Sequence, residues 1–128
     1  MRHALIMALL LAAAPALADP VEGLWRTAMD DNGNSGQIAI APCGEKFCGT
    51  LVKAFGPDGA ERASDNIGKY IVWDMVPQGG GAYGDGKVWS PDRDKTYASK
   101  MVLSGDTLAV KGCVLFICRD GGKWTRVK

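Results

Sequence analysis

Short runs of alternating apolar and polar residues, separated by turn residues, make up the chain from residue 19 onward. In the run 95–103, for example, Tyr97, Ser99 and Met101 share one face of an extended strand, while the residues that alternate with them share the other. No run keeps a helical period over ten or more positions. The pattern is typical of antiparallel strands with one buried face and one wet face.

The alternation predicts an all-β chain of eight strands joined by short turns. The predicted strands cover residues 22–29, 37–43, 48–55, 69–76, 87–90, 95–103, 106–113 and 118–127. Glycine is the residue that tight turns favour, and the 17 glycines of the chain punctuate these runs. Eight antiparallel strands joined in this way close into an up-and-down barrel, which leaves no strand edge unpaired.

Two stretches do not fit the strand pattern. Residues 56–68 are polar and contain Pro57 and Gly59, and they are predicted to form a surface loop. Residues 79–86 are rich in glycine but lack the strand-loop-helix context and the Gly-Lys-Ser/Thr ending of a phosphate loop. They are therefore predicted to form a mobile or tightly turning connection. The strand between the two stretches, 69–76, is expected to line the barrel interior or to cross its mouth.

The first 18 residues have the features of a secretory signal peptide. A basic start precedes a wholly apolar run at 4–14, and Ala16-Leu17-Ala18 has the small-x-small pattern of a cleavage site. The apolar run is shorter than the roughly 20 residues that span a bilayer. We expect cleavage after Ala18, which leaves one domain at 19–128, without a membrane span, in the periplasm or outside the cell.

Four cysteines form two pairs of equal spacing, Cys43 with Cys48 and Cys113 with Cys118. An oxidising compartment favours disulfides over a four-thiolate zinc site. Four cysteines permit three connectivities, which the sequence alone does not distinguish. We favour bonds within each pair, because the chain folds back between their members and makes them cross-strand neighbours. The second pair encloses residues 114–117, which are wholly apolar and unusual for a solvent-facing turn.

The charge balance and the absence of histidine argue against several functions. Removal of residues 1–18 takes one of the 15 Lys and Arg and none of the 14 Asp and Glu, so the mature chain carries 14 − 14 = 0 net charge. A neutral domain lacks the basic surface of a nucleic-acid binder. The single histidine, His3, leaves with the signal segment, so no imidazole remains as a base or ligand. We expect no enzyme activity, no cofactor and no metal.

Four tryptophans and three tyrosines are many for a domain of this size. The residues predicted to line the interior and to contact a small apolar ligand are Trp73, Met75, Trp89, Tyr97 and Met101. The alternative is that the same side chains only fill the barrel, since an eight-stranded interior is just wide enough for side chains or for one small ligand.

The segment from Gly23 to Trp25 resembles the first-strand signature of lipocalins and other calycins. In that superfamily an arginine of the last strand packs across the tryptophan, and Arg126 occupies the matching position here. The resemblance implies a cation–π clasp, formed by Trp25 and Arg126, that closes one end of the barrel.

An ordered set of motifs is similar to a bacterial family, the domain of unknown function 2147. The motifs are Gly23 to Trp25, Cys43-Gly44 with Cys48-Gly49, Gly86 to Tyr97, Gly112-Cys113-Val114 and Trp124-Thr125-Arg126. The resemblance covers most of the mature chain. It implies a lipocalin-like barrel in the periplasm or outside the cell, and it implies no reaction and no catalytic residues.

Two functions follow from these observations. The first is an exported carrier for a small apolar molecule held inside the barrel. The second is a disulfide-stapled barrel that binds another exported protein through the apolar segment 114–117 or the glycine-rich segment 79–86.

Overall fold

The computed structural model describes residues 18–128. The predicted signal peptide, apart from Ala18, lies outside the described residues, so its cleavage stays a prediction. The strands are β1 (Gly23–Arg26), β2 (Ser35–Cys43), β3 (Lys46–Phe55), β4 (Glu61–Arg62), β5 (Tyr70–Gly79), β6 (Ala82–Ser90), β7 (Lys95–Ser104), β8 (Thr107–Val114) and β9 (Ile117–Arg126). Within residues 18–128, no helix has the length and apolar character needed to cross a membrane.

Eight of the nine strands form one closed antiparallel barrel. Their order is β2-β1-β9-β8-β7-β6-β5-β3, and pairing of β2 with β3 closes the ring. The remaining strand, β4, pairs only with β3 and lies outside the ring. The predicted eight-stranded barrel is therefore confirmed, with termini that meet where β1 pairs with β9.

Both stretches predicted to be loops contain strand residues. Glu61 and Arg62 pair with β3, so the loop prediction for 56–68 missed β4, which is too short to show a pattern. The prediction for 79–86 was wrong over most of its length, because only Gly80 and Gly81 form a turn and β6 begins at Ala82.

Two positions in the first half of β6, Gly84 and Gly86, are occupied by glycine because neighbouring atoms lie close to where a Cβ atom would be. A Cβ atom on Gly84 would collide with the side chain of Gln78, and one on Gly86 would collide with Met75 and lie 2.8 Å from the carbonyl oxygen of Trp73. These glycines are therefore explained by close packing within a strand. In the sequence, a glycine-rich strand of this kind has the same composition as a flexible turn.

Apolar side chains from all eight barrel strands pack together in the interior of the barrel. The buried core consists of Val21, Trp25, Ile38, Ile40, Phe47, Leu51, Ile71, Val72, Met75, Tyr83, Met101, Leu108, Val110 and Trp124. Within it the rings of Phe47 and Tyr83 meet edge to face, with centroids 6.1 Å apart. These side chains lie in the barrel interior, where a carried ligand was expected.

An extra residue in β5 changes the direction of the side chains that follow it. Val72 lies opposite Gly49 and Met75 lies opposite Phe47. Between these two pairs, β5 advances by three residues while β3 advances by two. Asp74 lies in this bulge with a φ of 56°, which aspartate tolerates better than most residues.

The neighbouring strand β6 carries a matching bulge. Tyr83 lies opposite Met101 and Gly86 lies opposite Ser99, so here too three residues face two. Asp85 lies in this bulge with a φ of 59°. Because both strands of the β5–β6 hairpin have the extra residue, their mutual pairing continues past the two bulges.

Two disulfides join the cysteines in the favoured pairing. The Cα atoms of Cys43 and Cys48 are 5.7 Å apart, and those of Cys113 and Cys118 are 4.0 Å apart. Cys113 and Cys118 are directly opposed in the β8–β9 hairpin, whereas Cys43 and Cys48 are offset diagonally across the β2–β3 hairpin.

Candidate functional site

At one end of the barrel, here called the closed end, Arg126 holds the chain segment before β1 across the opening. Its guanidinium lies 4.3 Å from the ring centroid of Trp25. It donates hydrogen bonds to the carbonyl oxygens of Pro20 and Glu22, at 2.6 and 3.1 Å, and forms an ion pair with Asp106 at 3.1 Å. The two residues that the lipocalin resemblance paired are thus in contact, and together they fasten the segment before β1 across the end of the barrel.

The segment before β1 is also held from inside. Val21 is fully buried, and its carbonyl oxygen accepts a hydrogen bond of 2.9 Å from the indole of Trp25. The hydroxyl of Tyr83 donates to the carboxylate of Asp19. Burial, and after it this hydrogen bond, raises the pKa of Tyr83 above its ordinary value. The phenol therefore stays neutral and serves as a structural anchor.

The turns after β1, β6 and β8 and the segment that carries β4 lie at the other end, here called the open end. Arg93 in the β6–β7 turn contacts Asp31 in the β1–β2 turn at 3.3 Å. Because β1 and β6 lie on opposite sides of the ring, this ion pair spans the open end. Hydrogen bonding to Tyr97, and next to Asp31, raises the pKa of the Arg93 guanidinium. Both members of the pair are exposed, so it adds little to stability.

An outward-facing groove lies on the barrel wall near the open end. It is lined by Lys69, Tyr70, Trp73, Trp89 and Thr96, it crosses β5, β6 and β7, and its volume is about 290 Å³. We call it the aromatic groove. Three aromatic side chains that belong to two neighbouring strands meet there, and Tyr70 is half exposed.

The bulge in β5 turns Trp73 toward the groove. Trp73 lies opposite the exposed Lys87, on the outer side of the sheet. In a regular strand Trp73 and Met75 point to the same side, but the extra residue at Asp74 separates them. Met75 consequently enters the core while Trp73 stays outside.

The bulge in β6 likewise turns Trp89 toward the aromatic groove. Trp89 lies opposite the exposed Thr96, on the groove side of the sheet, and it is partly buried because it also packs in part against the core, as its neighbour Val88 does. A regular strand would place Trp89 on the same side as Tyr83, which is buried in the core. The two bulges at equivalent places in the hairpin thus bring both tryptophans to one outer surface.

The aromatic groove contains a cationic group. The ammonium of Lys69 lies 5.5 Å from the ring centroid of Trp89 and donates a hydrogen bond of 3.1 Å to the side-chain oxygen of Asn66. The indole N–H of Trp89 donates to the carboxylate of Asp94 at 3.0 Å. Lys69 forms no ion pair with any residue in 18–128. The groove therefore offers flat apolar faces beside an ammonium group.

The five residues predicted to contact a ligand inside the barrel lie in three different places. Met75 and Met101 are buried in the core, and Tyr97 faces inward below Arg93 at the open end. Trp73 and Trp89 line the aromatic groove on the outer side of the sheet, which corrects the interior position predicted for Trp73, while the partly buried Trp89 also packs against the core. The structure brings these two together with Tyr70, one of the three tyrosines noted in the sequence, and with Lys69, which no sequence pattern singles out.

A second recess, of about 530 Å³, lies between β3 and the segment that carries β4. It has no aromatic lining, and the charged residues Lys53, Glu61 and Arg62 border it. The guanidinium of Arg62 donates a hydrogen bond of 3.1 Å to the side-chain oxygen of Asn34. This recess is a polar junction between surface segments.

The β8–β9 turn forms an exposed apolar tip, which consists of residues 114–117. The side chains of Leu115 and Phe116 are 90% and 101% exposed, and Val114 and Ile117 below them are also exposed. Leu115 has a φ of 56°, a conformation that favours glycine. The disulfide Cys113–Cys118 lies directly beneath the tip and holds its two strands together.

The described residues, 18–128, contain no group of three or more His, Cys, Asp or Glu side chains placed to hold a metal ion. The predicted absence of a metal and of a cofactor stays a prediction.

A family model described as "Uncharacterized protein conserved in bacteria (DUF2147)" matches residues 23–126. Among solved structures, the chain is similar to protein HP1028 from the human pathogen Helicobacter pylori, described as belonging to the lipocalin family. The TM-score is 0.68 at 14% sequence identity, over 88% of this chain and 85% of that chain. At this identity the likeness shows a shared fold. No curated protein matches the chain.

Proposed function

Because the chain belongs to the DUF2147 family of bacterial proteins and folds as a lipocalin-like barrel, we propose that it is an exported binding protein for a small apolar ligand, without catalytic activity, and that the ligand binds in the aromatic groove. The observation that carries this proposal is the outward position of Trp73 and Trp89 on adjacent strands beside Tyr70.

The groove suits a small ligand better than the interior does. Met75 and Met101, two of the predicted interior contacts, are packed in the core, and a ligand would have to displace such side chains to enter. The groove needs no such rearrangement, because it is open to solvent. Aromatic faces bind flat apolar groups with little loss of side-chain entropy, since each ring has only two rotatable bonds.

The test is binding of the neutral fluorescent probe N-phenyl-1-naphthylamine to the mature protein. We expect saturable fluorescence enhancement that Trp89→Ala abolishes. Tyr70→Ala should weaken binding about 5- to 10-fold, in line with loss of about 1 to 1.4 kcal/mol of aromatic contact. Tyr70 is half exposed, so its removal leaves the fold intact even if Trp89→Ala destabilises it. Phe116→Ala, which removes an aromatic ring elsewhere on the surface, is the matched control and should bind normally. Wild-type affinity in Tyr70→Ala would contradict the proposal.

Export is part of this proposal and has its own test. The predicted cleavage after Ala18 leaves Asp19 as the first residue, which the structure holds through Tyr83. Mass spectrometry of the protein from its native host should therefore find Asp19 at the N-terminus. A mature protein that retains Met1 would contradict export by this route.

The second candidate function is binding of another exported protein through the apolar tip. Leu115 supports it, because this side chain is 90% exposed and also adopts a conformation that disfavours leucine. A photo-crosslinking residue at Phe116 should capture one specific partner in periplasmic extract, and Leu115→Gly should abolish that capture. The same crosslinker at Val102, an exposed apolar position on β7, is the control. Equal products from both positions would contradict this function.

A further inference from the structure

We propose that the aromatic groove is specific for an anionic amphiphile, a small molecule with a flat apolar body and a carboxylate. In this arrangement the body lies against Trp73 and Trp89 and the carboxylate pairs with the ammonium of Lys69. The inference rests on the proposed function, because it names the chemical class of the ligand that binds in that groove.

Lys69 has no carboxylate partner among the described residues of the groove. It is the one charged residue among the five that line the groove. Its ammonium has a neutral hydrogen-bond partner, the side chain of Asn66, and no carboxylate partner within residues 18–128. The carboxylate of Asp94 lies at the same groove but accepts the indole N–H of Trp89. Asp94 keeps its negative charge, because an indole N–H is a neutral donor, but it forms no ion pair with Lys69, so the Lys69 ammonium can pair with a ligand carboxylate.

The ammonium group of Lys69 lies next to the apolar surface of the groove. The ammonium lies 5.5 Å from the ring centroid of Trp89, so it is held beside the face that the ligand body would cover. Lys69 is exposed and has a flexible stem, so its ammonium can move from the ring face to a bound carboxylate. A bound apolar body also excludes water from the ion pair and so strengthens it.

A second cation lies close to the same surface. Lys87 is exposed and directly opposite Trp73 in the β5–β6 pairing, two residues before Trp89 in β6. A cationic ligand would meet the like charges of Lys69 and Lys87 against the one carboxylate of Asp94, and a neutral ligand would leave both ammonium groups without a new partner. Charge complementarity thus favours a carboxylate over either alternative.

The test compares two ligands of nearly equal shape, naphthalene-1-acetate and its neutral amide, by isothermal titration calorimetry on the mature protein at low ionic strength. We expect the acid to bind about fivefold more tightly than the amide, as one partly exposed ion pair provides. Lys69→Met keeps the apolar stem and removes the charge, so it should bring the two affinities together. Lys123→Met, at an exposed position on β9, is the matched control and should keep the fivefold ratio.

The outcomes separate the inference from the function on which it rests. Equal affinity of the wild type for acid and amide, or an unchanged ratio in Lys69→Met, would overturn the specificity for anions while groove binding stands. If the wild type binds neither compound nor N-phenyl-1-naphthylamine, the proposed function fails as well. Added salt should reduce the acid-to-amide ratio toward one in the wild type and leave the amide affinity unchanged.

Discussion

At the scale of single residues, the closed end of the barrel depends on two side chains with several partners each. Tyr83 packs in the core and reaches out to Asp19, while Arg126 connects Trp25, the carbonyl groups before β1 and Asp106. The sequence predicted the contact of Trp25 with Arg126 through the lipocalin resemblance. It did not predict the role of Tyr83, because no local pattern links residue 83 to residue 19.

Tyr83 should make the protein sensitive to alkaline pH. Its pKa in the folded state is raised above the unfolded value of about 10. The stabilisation that the neutral phenol provides is therefore complete below about pH 10 and is lost as the pH rises from there toward the folded-state pKa. Urea unfolding should show that the free energy of unfolding falls less steeply above pH 10 in Tyr83→Phe than in the wild type. Tyr70→Phe, which removes an exposed hydroxyl, is the control. Identical slopes in wild type and Tyr83→Phe would contradict this role.

Arg126 should not be replaceable by lysine. Lysine keeps the positive charge but not the planar group that stacks on Trp25 and bonds two carbonyl oxygens at once. We expect Arg126→Lys to lower the free energy of unfolding by about 2 kcal/mol, the scale of one or two lost charge-assisted hydrogen bonds. Arg119→Lys, at an exposed position on β9, should change stability by less than about 0.5 kcal/mol. Thermal or urea unfolding that finds the two variants equally stable would show that the clasp is dispensable.

At the scale of strands, the paired bulges of β5 and β6 decide where the aromatic side chains point. Alternation in the sequence predicted the barrel because β1, β2, β7 and β8 keep a period of two from end to end and the other strands keep it over part of their length. It placed Trp73 and Trp89 inside because a period of two contains no signal for an extra residue. Asp85, which lies between two glycines, indicates a turn as readily as a bulge. The candidate groove therefore depends on local irregularities that sequence patterns do not reveal.

The bulge in β6 should tolerate glycine at position 85 but not a β-branched residue. Asp85 has a φ of 59° and an exposed side chain, so Asp85→Gly relaxes the backbone without loss of packing. Asp85→Val should cost about 1 to 3 kcal/mol of stability, because valine adopts this conformation only with strain. Lys87→Val, at an exposed position of the same strand, is the control and should be close to neutral. Urea unfolding of the three variants tests the prediction, and equal stability of Asp85→Val and Asp85→Gly would contradict it.

At the scale of the whole molecule, the barrel combines an apolar core with two features on its outer surface. The aromatic groove lies on the wall formed by β5 to β7, and the apolar tip extends from the β8–β9 hairpin. Length and alternation predicted the barrel, and the cysteine spacing favoured the disulfide pairing that the structure shows, because these features depend on residues close in sequence or on a repeated pattern. The groove joins residues that become neighbours only through strand pairing and bulges, so it required the structure.

The central claim is that a ligand binds on the barrel wall and not inside the barrel. The indole N–H groups of the four tryptophans report on it directly in a nitrogen–proton NMR spectrum, since Trp73 and Trp89 line the groove while Trp25 and Trp124 lie in the core. During titration with naphthalene-1-acetate, we expect saturable shifts of the Trp73 and Trp89 signals and none of the Trp25 and Trp124 signals. Shifts of Trp25 and Trp124 with Trp73 and Trp89 unchanged would contradict the claim, because they would place the ligand inside the barrel.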